Sequence, residues 1–227
     1  MLDFLLNLYW MGDTAVLAMA LLLVLATAAI CYLLGCFNGA VIVSKYILRD
    51  DVRTHGSGNA GLTNFIRNYG VGRAVYVILI DAGKAVLACL ATGLLLKPYG
   101  YYTLGTALGG LAVMLGHNFP ALLGFKGGKG ILSGLFIALS VDWRIAVMIL
   151  IVFFAAYLLT QYVSLGSVLA AAAFCIGFIV FHWNEPVVML CGVIMGAMAI
   201  IMHRGNIVRL MKGQERKTNL FGKGEKK

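Results

Sequence analysis

The sequence is poor in charge, and above all in acidic residues. Only 12% of its 227 residues are charged, and Asp and Glu together number 9 against 18 Lys and Arg. A water-soluble globular domain has about twice that charged fraction. Hydrophobic residues make up 61% of the chain, and the mean hydropathy is +0.92. These values disfavour a soluble fold and favour an integral membrane protein.

Several catalytic and metal-binding patterns are missing. No Gly-x-Ser-x-Gly or His-Glu-x-x-His segment occurs, and no His is followed five positions later by Asp, the His–Asp base pair of acyl-CoA-dependent glycerolipid acyltransferases. Acidic residues are too few for a Mg²⁺-dependent lipid phosphotransferase. The five Cys are odd in number and form no Cys-x-x-Cys pair, so structural disulfides are not expected. The sequence predicts no metal and no cofactor.

Long hydrophobic segments dominate the sequence. A helix needs about 20 mostly apolar residues to cross the hydrocarbon core. Seven candidate segments occur at 14–44, 74–96, 101–125, 131–141, 145–162, 164–181 and 187–202. The segment at 131–141 is short, and we expect it to begin in the preceding polar loop or to be half-buried. The predicted fold is an all-α integral membrane protein with seven transmembrane helices, formed by one domain over residues 1–227.

Positive charge is distributed unevenly along the chain. Residues 1–44 contain no Lys or Arg, whereas residues 203–227 contain eight. Because cytoplasmic segments are enriched in Lys and Arg, we expect the N-terminus outside and the C-terminus in the cytoplasm. Alternation then places the loops at 45–73 and 126–129 on the cytoplasmic face as well.

Three polar segments interrupt the hydrophobic sequence, at 53–67, 116–130 and 203–215. Each combines glycines, whose backbone can curl N–H groups around an anion, with basic, hydroxyl or amide side chains. Ordinary turns are the alternative. A turn, however, does not require the Arg, His, Ser and Asn side chains of the first segment. The three segments predict phosphate binding at a membrane surface.

The second segment contains Phe-Lys-Gly-Gly-Lys-Gly at 125–130, directly before a hydrophobic run. This arrangement resembles a phosphate-binding loop at a helix N-terminus, where free N–H groups and the helix dipole favour an anion. It lacks the spacing of a P-loop, because Ile131 follows Gly130. Two juxtamembrane lysines on a flexible turn are the alternative interpretation.

Other polar residues have simpler interpretations. His117 and His203 have no partners at metal-ligand spacing, and interfacial His side chains are more often hydrogen-bonded than metal-bound. Asp81 and Lys84 lie three positions apart in a predicted span, so they can pair on one helix face. We interpret that pair as structural rather than catalytic.

In their order, these segments resemble the integral-membrane glycerol-3-phosphate acyltransferases that use acyl-phosphate donors, the PlsY type. The resemblance covers nearly the whole chain. It is carried by Arg53…Gly56-Ser57-Gly58-Asn59…Gly61…Thr63-Asn64…Arg67, Asp81…Lys84, Gly116-His117…Phe119-Pro120, 125–130, Ser164-Leu165 and His203…Asn206-Ile207…Arg209-Leu210…Gly213…Glu215. One departure concerns Gly35-Cys36, where the family usually has Gly-Ser. A thiol is a poorer hydrogen-bonding group than a hydroxyl, and Asn38 is a candidate substitute.

The resemblance implies transfer of a fatty acyl group from acyl phosphate to the 1-hydroxyl of sn-glycerol 3-phosphate. The products are lysophosphatidic acid and phosphate, in the first step of phospholipid synthesis. The catalytic residues that we assign are Arg53, Ser57, Lys129, His203 and Asn206. Substrate and phosphate binding are assigned to Gly58, Asn59, Gly61, Thr63, Asn64, His117, Lys126, Gly127, Gly128, Ser164 and Ile207. The hydroxyl proton goes either to a substrate phosphate oxygen or to His203.

The same resemblance implies a multi-pass protein of the bacterial plasma (inner) membrane with its active site at the cytoplasmic face. The expected partners are acyl phosphate, glycerol 3-phosphate, the lipid bilayer and, as a candidate, the enzyme that produces acyl phosphate. Nucleic acid is not expected despite the net charge of +9, because the basic residues follow membrane topology. A transporter of a phosphorylated solute is the alternative function. It predicts a midplane site and internal repeats, and we see no such features in the sequence.

Overall fold

The computed structural model of the protein describes residues 14–218, apart from the side chains of residues 15–17 and 20. Within this range the regular structure is helical. The helices are α1 (Thr14–Cys36), α2 (Gly39–Ile42), α3 (Leu62–Tyr69), α4 (Val71–Leu96), α5 (Tyr102–Asn118), α6 (Ile131–Val141), α7 (Trp143–Thr160), α8 (Val163–Phe181), α9 (Pro186–Met202) and α10 (Arg204–Met211). The two chain ends, whose predicted orientation is outside and cytoplasmic, lie outside the described residues.

In the described part of the chain, four helical segments are long and apolar enough to cross a membrane: Val71–Tyr99, Tyr102–Leu123, Trp143–Thr160 and Val163–Phe181. Two bent pairs, Leu21–Cys36 with Gly39–Ile47 and Pro186–Met202 with Arg204–Met211, bring the number to six if each pair is one span. Helix α6 has 11 residues, a length of about 16 Å against a hydrocarbon core of about 30 Å. An all-helical membrane architecture is confirmed, whereas seven crossings remain a prediction.

The chain is helical because lipid offers no hydrogen-bond partners, so a backbone inside the membrane must form its own hydrogen bonds. Small residues then allow the helices to approach closely. A Cβ at Gly35 of α1 would lie 2.2 Å from the carbonyl oxygen of Val113, and one at Gly116 of α5 would lie 2.0 Å from that of Tyr32. The backbones of α1 and α5 are therefore in contact. This contact places the end of α5, with His117, beside the segment that follows α1.

Two hydrophobic clusters hold the described part of the chain together. The larger cluster contains buried residues of α1 and of every helix from α4 to α9, among them the fully buried Val113, Ile137, Ile145 and Phe178. The smaller cluster lies beneath the first polar segment, where Phe65 of α3 packs with residues 40–52 and with α4. The first polar segment therefore has its own apolar anchor, while the second and third are held by the main bundle.

Candidate active site

A cavity of about 390 Å³ lies where the three polar segments meet. Ten of the predicted site residues line it: Ser57, Asn59, Gly61, Thr63, Asn64, His117, Lys129, Ser164, His203 and Asn206. Its apolar wall comes from α6 and α7, with Ile131, Leu135, Ile149, Leu150, Phe153 and Phe154. Polar loops and helix ends thus meet apolar helix faces in one cavity, which suits a molecule with a charged head and a hydrocarbon tail.

The other predicted site residues are Arg53, Gly58, Lys126, Gly127, Gly128 and Ile207, and they do not line this cavity. The Arg53 guanidinium binds the carboxylate of Asp51 instead, with Nη2 2.8 Å from Oδ2. Lys126 is exposed. A direct role of these two cations in phosphate binding therefore stays a prediction.

Gly127 and Gly128 serve the site differently from our expectation of free N–H groups. The N–H of Gly127 donates to the carbonyl oxygen of Asn118 at 3.2 Å, and that of Gly128 donates to the carbonyl oxygen of His117 at 3.0 Å. A Cβ at Gly128 would lie 2.2 Å from Nε2 of His117. The glycine pair thus lets the loop before Lys129 lie directly against the end of α5.

Asn64 organises the first polar segment. Its buried side-chain amide donates to the carbonyl oxygens of Val52, His55 and Asn59 at 3.0 to 3.1 Å, and its Oδ1 accepts from the N–H of Ser57 at 3.0 Å. These bonds use most of the hydrogen-bonding capacity of the amide. Asn64 therefore shapes the loop that presents Ser57 and Asn59, although we expected it to bind phosphate directly.

A hydrogen-bonded chain of side chains crosses the polar part of the cavity. Lys129 Nζ donates to Oδ1 of Asn206, and Asn206 Nδ2 donates to Oε1 of Glu215 at 3.0 Å. The other carboxylate oxygen of Glu215 accepts from Nε of Arg209 at 2.7 Å. The second and third polar segments are joined by these contacts.

Charge in this part of the cavity is net positive. Burial, together with the nearby Arg209 and Arg67, lowers the pKa of Lys129 to about 8, although Glu215 opposes the shift. Lys129, Arg209 and Arg67 thus lie near a single carboxylate, that of Glu215. Such a cluster attracts a phosphate dianion, whose binding would also relieve the repulsion among the cations.

The segment at 214–218 is hydrogen-bonded to α3 and α7, and these bonds fix the position of Glu215 within it. Arg67 Nε donates to Oγ1 of Thr218 at 3.0 Å, and the hydroxyl of Tyr157 donates to the carbonyl oxygen of Thr218 at 3.0 Å. The N–H of Thr218 donates to the carbonyl oxygen of Gln161 at 3.1 Å. This tail segment therefore carries Glu215 into the cluster of cations.

His203 lies between α9 and α10. Its Nδ1 is 2.8 Å from the carbonyl oxygen of Ala199. Burial, together with the Lys129 ammonium, lowers the pKa of His203 to about 4, although the bond to Ala199 and the Glu215 carboxylate oppose the shift. The ring is therefore neutral at pH 7. A group with so low a pKa is a weak general base, and its ring is better suited to positioning a hydroxyl.

Asp81, Lys84 and His117 form a buried cluster beneath the second polar segment. Lys84 Nζ lies 2.8 Å from Oδ1 of Asp81 and 2.9 Å from Nδ1 of His117. Asp81 and Lys84 are 2% and 3% exposed. The predicted pairing of Asp81 with Lys84 is confirmed. Their joint contact with His117, which lines the cavity, was not apparent from spacing along the chain.

Ser164 and Ser167 line the cavity from the first turns of α8. The hydroxyl of Ser164 is buried and has no hydrogen-bond partner among the described residues. A buried polar group without a partner costs about 1–3 kcal/mol. Ser164 is therefore well placed to bind a polar group of a molecule in the cavity.

The predicted site residues did not include Arg67, Asp81, Ser167, Arg209 and Glu215, although all five line the cavity. Arg67, Arg209 and Glu215 lie within the polar segments, and Asp81 belongs to the Asp81…Lys84 pair of the resemblance. The sequence motifs therefore contained the signal for these four residues. Ser167 lies three positions after Ser164, on the same helix face. In the described part of the chain, no group of three His, Cys, Asp or Glu side chains is arranged to hold a metal ion.

Fold and site together define an integral membrane protein with a basic cavity that adjoins an apolar helix surface. The family model described as "Glycerol-3-phosphate acyltransferase" matches residues 15–213. The chain belongs to this family of membrane acyltransferases, in agreement with the resemblance seen in its motifs.

Similar proteins match more than four fifths of the chain. The glycerol-3-phosphate acyltransferase of Clostridioides difficile (strain 630) is 39% identical over 191 residues, which are 84% of this chain and 93% of that protein. The one from Thermoanaerobacter pseudethanolicus is 38% identical over the same shares of both chains. The crystal structure of PlsY (YgiH), an integral membrane glycerol 3-phosphate acyltransferase, in its glycerol 3-phosphate form is 31% identical, with a TM-score of 0.77 over 88% of this chain and 99% of that one. Its lysophosphatidic acid form gives a TM-score of 0.73 at 30% identity, over 87% of this chain and 96% of that one.

Proposed function

We propose that this glycerol-3-phosphate acyltransferase takes its acyl group from acyl phosphate and transfers it to the 1-hydroxyl of glycerol 3-phosphate, releasing lysophosphatidic acid and phosphate. The supporting observation is the cavity itself. Three cations, Arg67, Lys129 and Arg209, lie in its polar part, while α6 and α7 supply an apolar wall. Both substrates carry phosphate groups, and the donor adds a hydrocarbon chain.

The chemistry requires little beyond positioning. The glycerol hydroxyl attacks the acyl carbonyl carbon, a new ester C–O bond forms, and the bond from that carbon to the phosphate oxygen breaks. Because the donor is an activated anhydride, no covalent enzyme intermediate is needed. Holding the hydroxyl close to the carbonyl carbon in the right orientation can lower the activation barrier by about 7–11 kcal/mol. Phosphate departs with the bonding electron pair.

The hydroxyl proton has two candidate acceptors, a phosphate oxygen of the substrate and Nε2 of His203. The low pKa of His203 favours the phosphate oxygen as the final acceptor. His203 then orients the hydroxyl. We assign phosphate charge to Lys129, Arg209 and Arg67, and hydrogen bonds to the phosphate groups to Ser57, Asn59, Ser164 and Asn206.

We further propose that the active site lies at the cytoplasmic face of the bacterial inner membrane. The cavity is bounded by the segments richest in Lys and Arg, at 45–73, 126–129 and 203–217, whereas Lys97 and Arg144 lie at the other ends of α4 and α7. This distribution follows the positive-inside rule. Acyl phosphate and its producing enzyme are then on the same side as the cavity.

The donor is tested by giving the purified protein glycerol 3-phosphate with acyl phosphate, acyl-CoA or acyl carrier protein and measuring the lysolipid product. We expect product only with acyl phosphate. Lys129→Met should abolish most of the activity, while Lys97→Met, which removes an equivalent charge at the far end of α4, should keep it. Product from acyl-CoA alone would refute the donor assignment. Glycerol 3-phosphate uptake into proteoliposomes without a donor would instead support the transporter.

A further inference from the structure

Two histidines line the cavity, and their hydrogen bonds hold them in opposite tautomers. In a neutral imidazole one ring nitrogen carries the proton and the other accepts. Nδ1 of His203 lies 2.8 Å from the carbonyl oxygen of Ala199, which can only accept. Nδ1 therefore carries the proton, and Nε2 is left with its lone pair. His203 presents a hydrogen-bond acceptor to the cavity.

At His117 the partner has the opposite character. Nδ1 lies 2.9 Å from Nζ of Lys84. The same Nζ lies 2.8 Å from Oδ1 of Asp81, and 3.1 and 2.7 Å from the carbonyl oxygens of Gly35 and Phe37. An ammonium has no lone pair, so an N–H at Nδ1 of His117 would face it donor to donor. Oδ1 of Asp81 lies 3.7 Å from Nδ1, beyond hydrogen-bond distance. Nδ1 therefore accepts from Lys84, which shares its three N–H groups among four acceptors, and the ring proton is on Nε2.

The Nε2–H group of His117 is available to a bound molecule. No hydrogen-bond partner of this atom exists among the described residues, and the side chain lines the cavity. The ring cannot turn easily, because Lys84 holds one edge and Gly128 lies against the other, where a Cβ would come within 2.2 Å of Nε2. His117 is a fixed neutral donor in a cavity whose other histidine is a fixed neutral acceptor.

We propose that Lys84 is a positioning residue that keeps His117 as an Nε2–H donor to the carbonyl oxygen of the acyl donor, in the same cavity as the acceptor nitrogen of His203. The carbonyl oxygen gains negative charge as the hydroxyl attacks, so a pre-oriented N–H donor stabilises the transition state. The hydroxyl needs an acceptor, which His203 supplies. The identity of these substrate atoms rests on the proposed function, whereas the tautomers follow from the protein alone.

The tautomers can be measured without turnover. The chain contains four His, so ¹⁵N-histidine labelling gives few signals, and His117→Gln and His203→Gln assign two of them. We expect a bare Nδ1 and a protonated Nε2 at His117, and the reverse at His203. In Asp81→Asn/Lys84→Met, which removes both buried charges together, the His117 signals should shift towards a mixture of tautomers. The proposal would be overturned by a protonated Nδ1 at His117. It would also be overturned if the ¹⁵N signals of His117 did not change when Lys84 is replaced.

Kinetics distinguish positioning from general structural support. We expect Asp81→Asn/Lys84→Met to lower kcat roughly tenfold, as is common for a residue that orients a functional histidine, with a smaller effect on KM for glycerol 3-phosphate. A Gln at position 117 offers an amide N–H and needs no lysine to fix a tautomer. In the His117→Gln background, the same two substitutions should therefore change kcat by less than about twofold.

Equal losses of kcat in both backgrounds would mean that Asp81 and Lys84 only support the fold, and would overturn the proposal. The matched control is Asp142→Asn/Arg144→Met, which removes an ion pair with a 2.6 Å contact at the far end of α7 and should leave kcat unchanged. Melting temperatures of all variants verify folding. Failure of wild-type protein to use acyl phosphate would refute the donor assignment, while the ¹⁵N measurement would still decide the tautomers.

Discussion

The charge of Lys129 should control the alkaline side of the pH profile. Its pKa is lowered from 10.5 to about 8 by burial and by Arg209 and Arg67. With a pKa of about 8, roughly 90% of Lys129 is charged at pH 7 and roughly 10% at pH 9. If the charged form binds the substrate phosphate, kcat/KM should fall about tenfold between pH 7 and pH 9. With an ordinary lysine pKa the decrease would be only a few per cent.

The assay is the initial rate of lysolipid formation from pH 6.5 to 9.5, corrected for spontaneous hydrolysis of the donor. The second pKa of a phosphate monoester is about 6, so glycerol 3-phosphate stays a dianion from about pH 7 upwards. The profile of kcat/KM reports the free enzyme, and that of kcat reports the enzyme–substrate complex. Because a bound dianion favours the charged lysine, the decline in kcat should occur at higher pH than the decline in kcat/KM.

Lys129→Arg provides the decisive comparison. A guanidinium stays charged above pH 12, so this variant should lose the alkaline decline even if its absolute rate is lower. A wild-type kcat/KM that is constant from pH 7 to pH 9.5 would refute the reasoning. The same decline in Lys129→Arg would assign the titration to a different group.

Three further predictions test other parts of the site. His203→Gln keeps a hydrogen-bond acceptor and should lower kcat less than tenfold. Loss of a true general base would lower kcat about 10²- to 10⁴-fold. Measuring kcat of this variant over the pH range distinguishes the two roles of His203. Gly128→Ala should lower kcat/KM about 100-fold by displacing the ring of His117, while Gly83→Ala, whose Cβ meets nothing within 4 Å, should not. A single Cys at Lys212 in an otherwise Cys-free protein should react with a membrane-impermeant label only from the cytoplasmic side, and labelling of intact cells would contradict the proposed orientation.

The sequence by itself determined the class of protein and singled out the three polar segments whose residues line the cavity. The length of the hydrophobic runs shows which segments lie in the membrane. These segments form helices because the bilayer core offers no hydrogen-bond partner to a backbone that does not pair with itself. The pairing of Asp81 with Lys84 was also predictable, since residues three apart lie on one helix face. The short helix α6 was expected from the 11-residue uncharged run at 131–141, which ends before Asp142.

Tertiary structure decided which polar groups are left for a substrate. Lys129 meets Asn206 across 77 positions, Lys84 meets His117 across 33, and Arg67 meets Thr218 across 151. The N–H groups of Gly127 and Gly128 suit an anion by composition but are already bonded to the end of α5. Composition and spacing show which groups can bind a phosphate. Only the packed helices show which donors and acceptors have already satisfied one another, because that depends on distances between residues far apart in the chain.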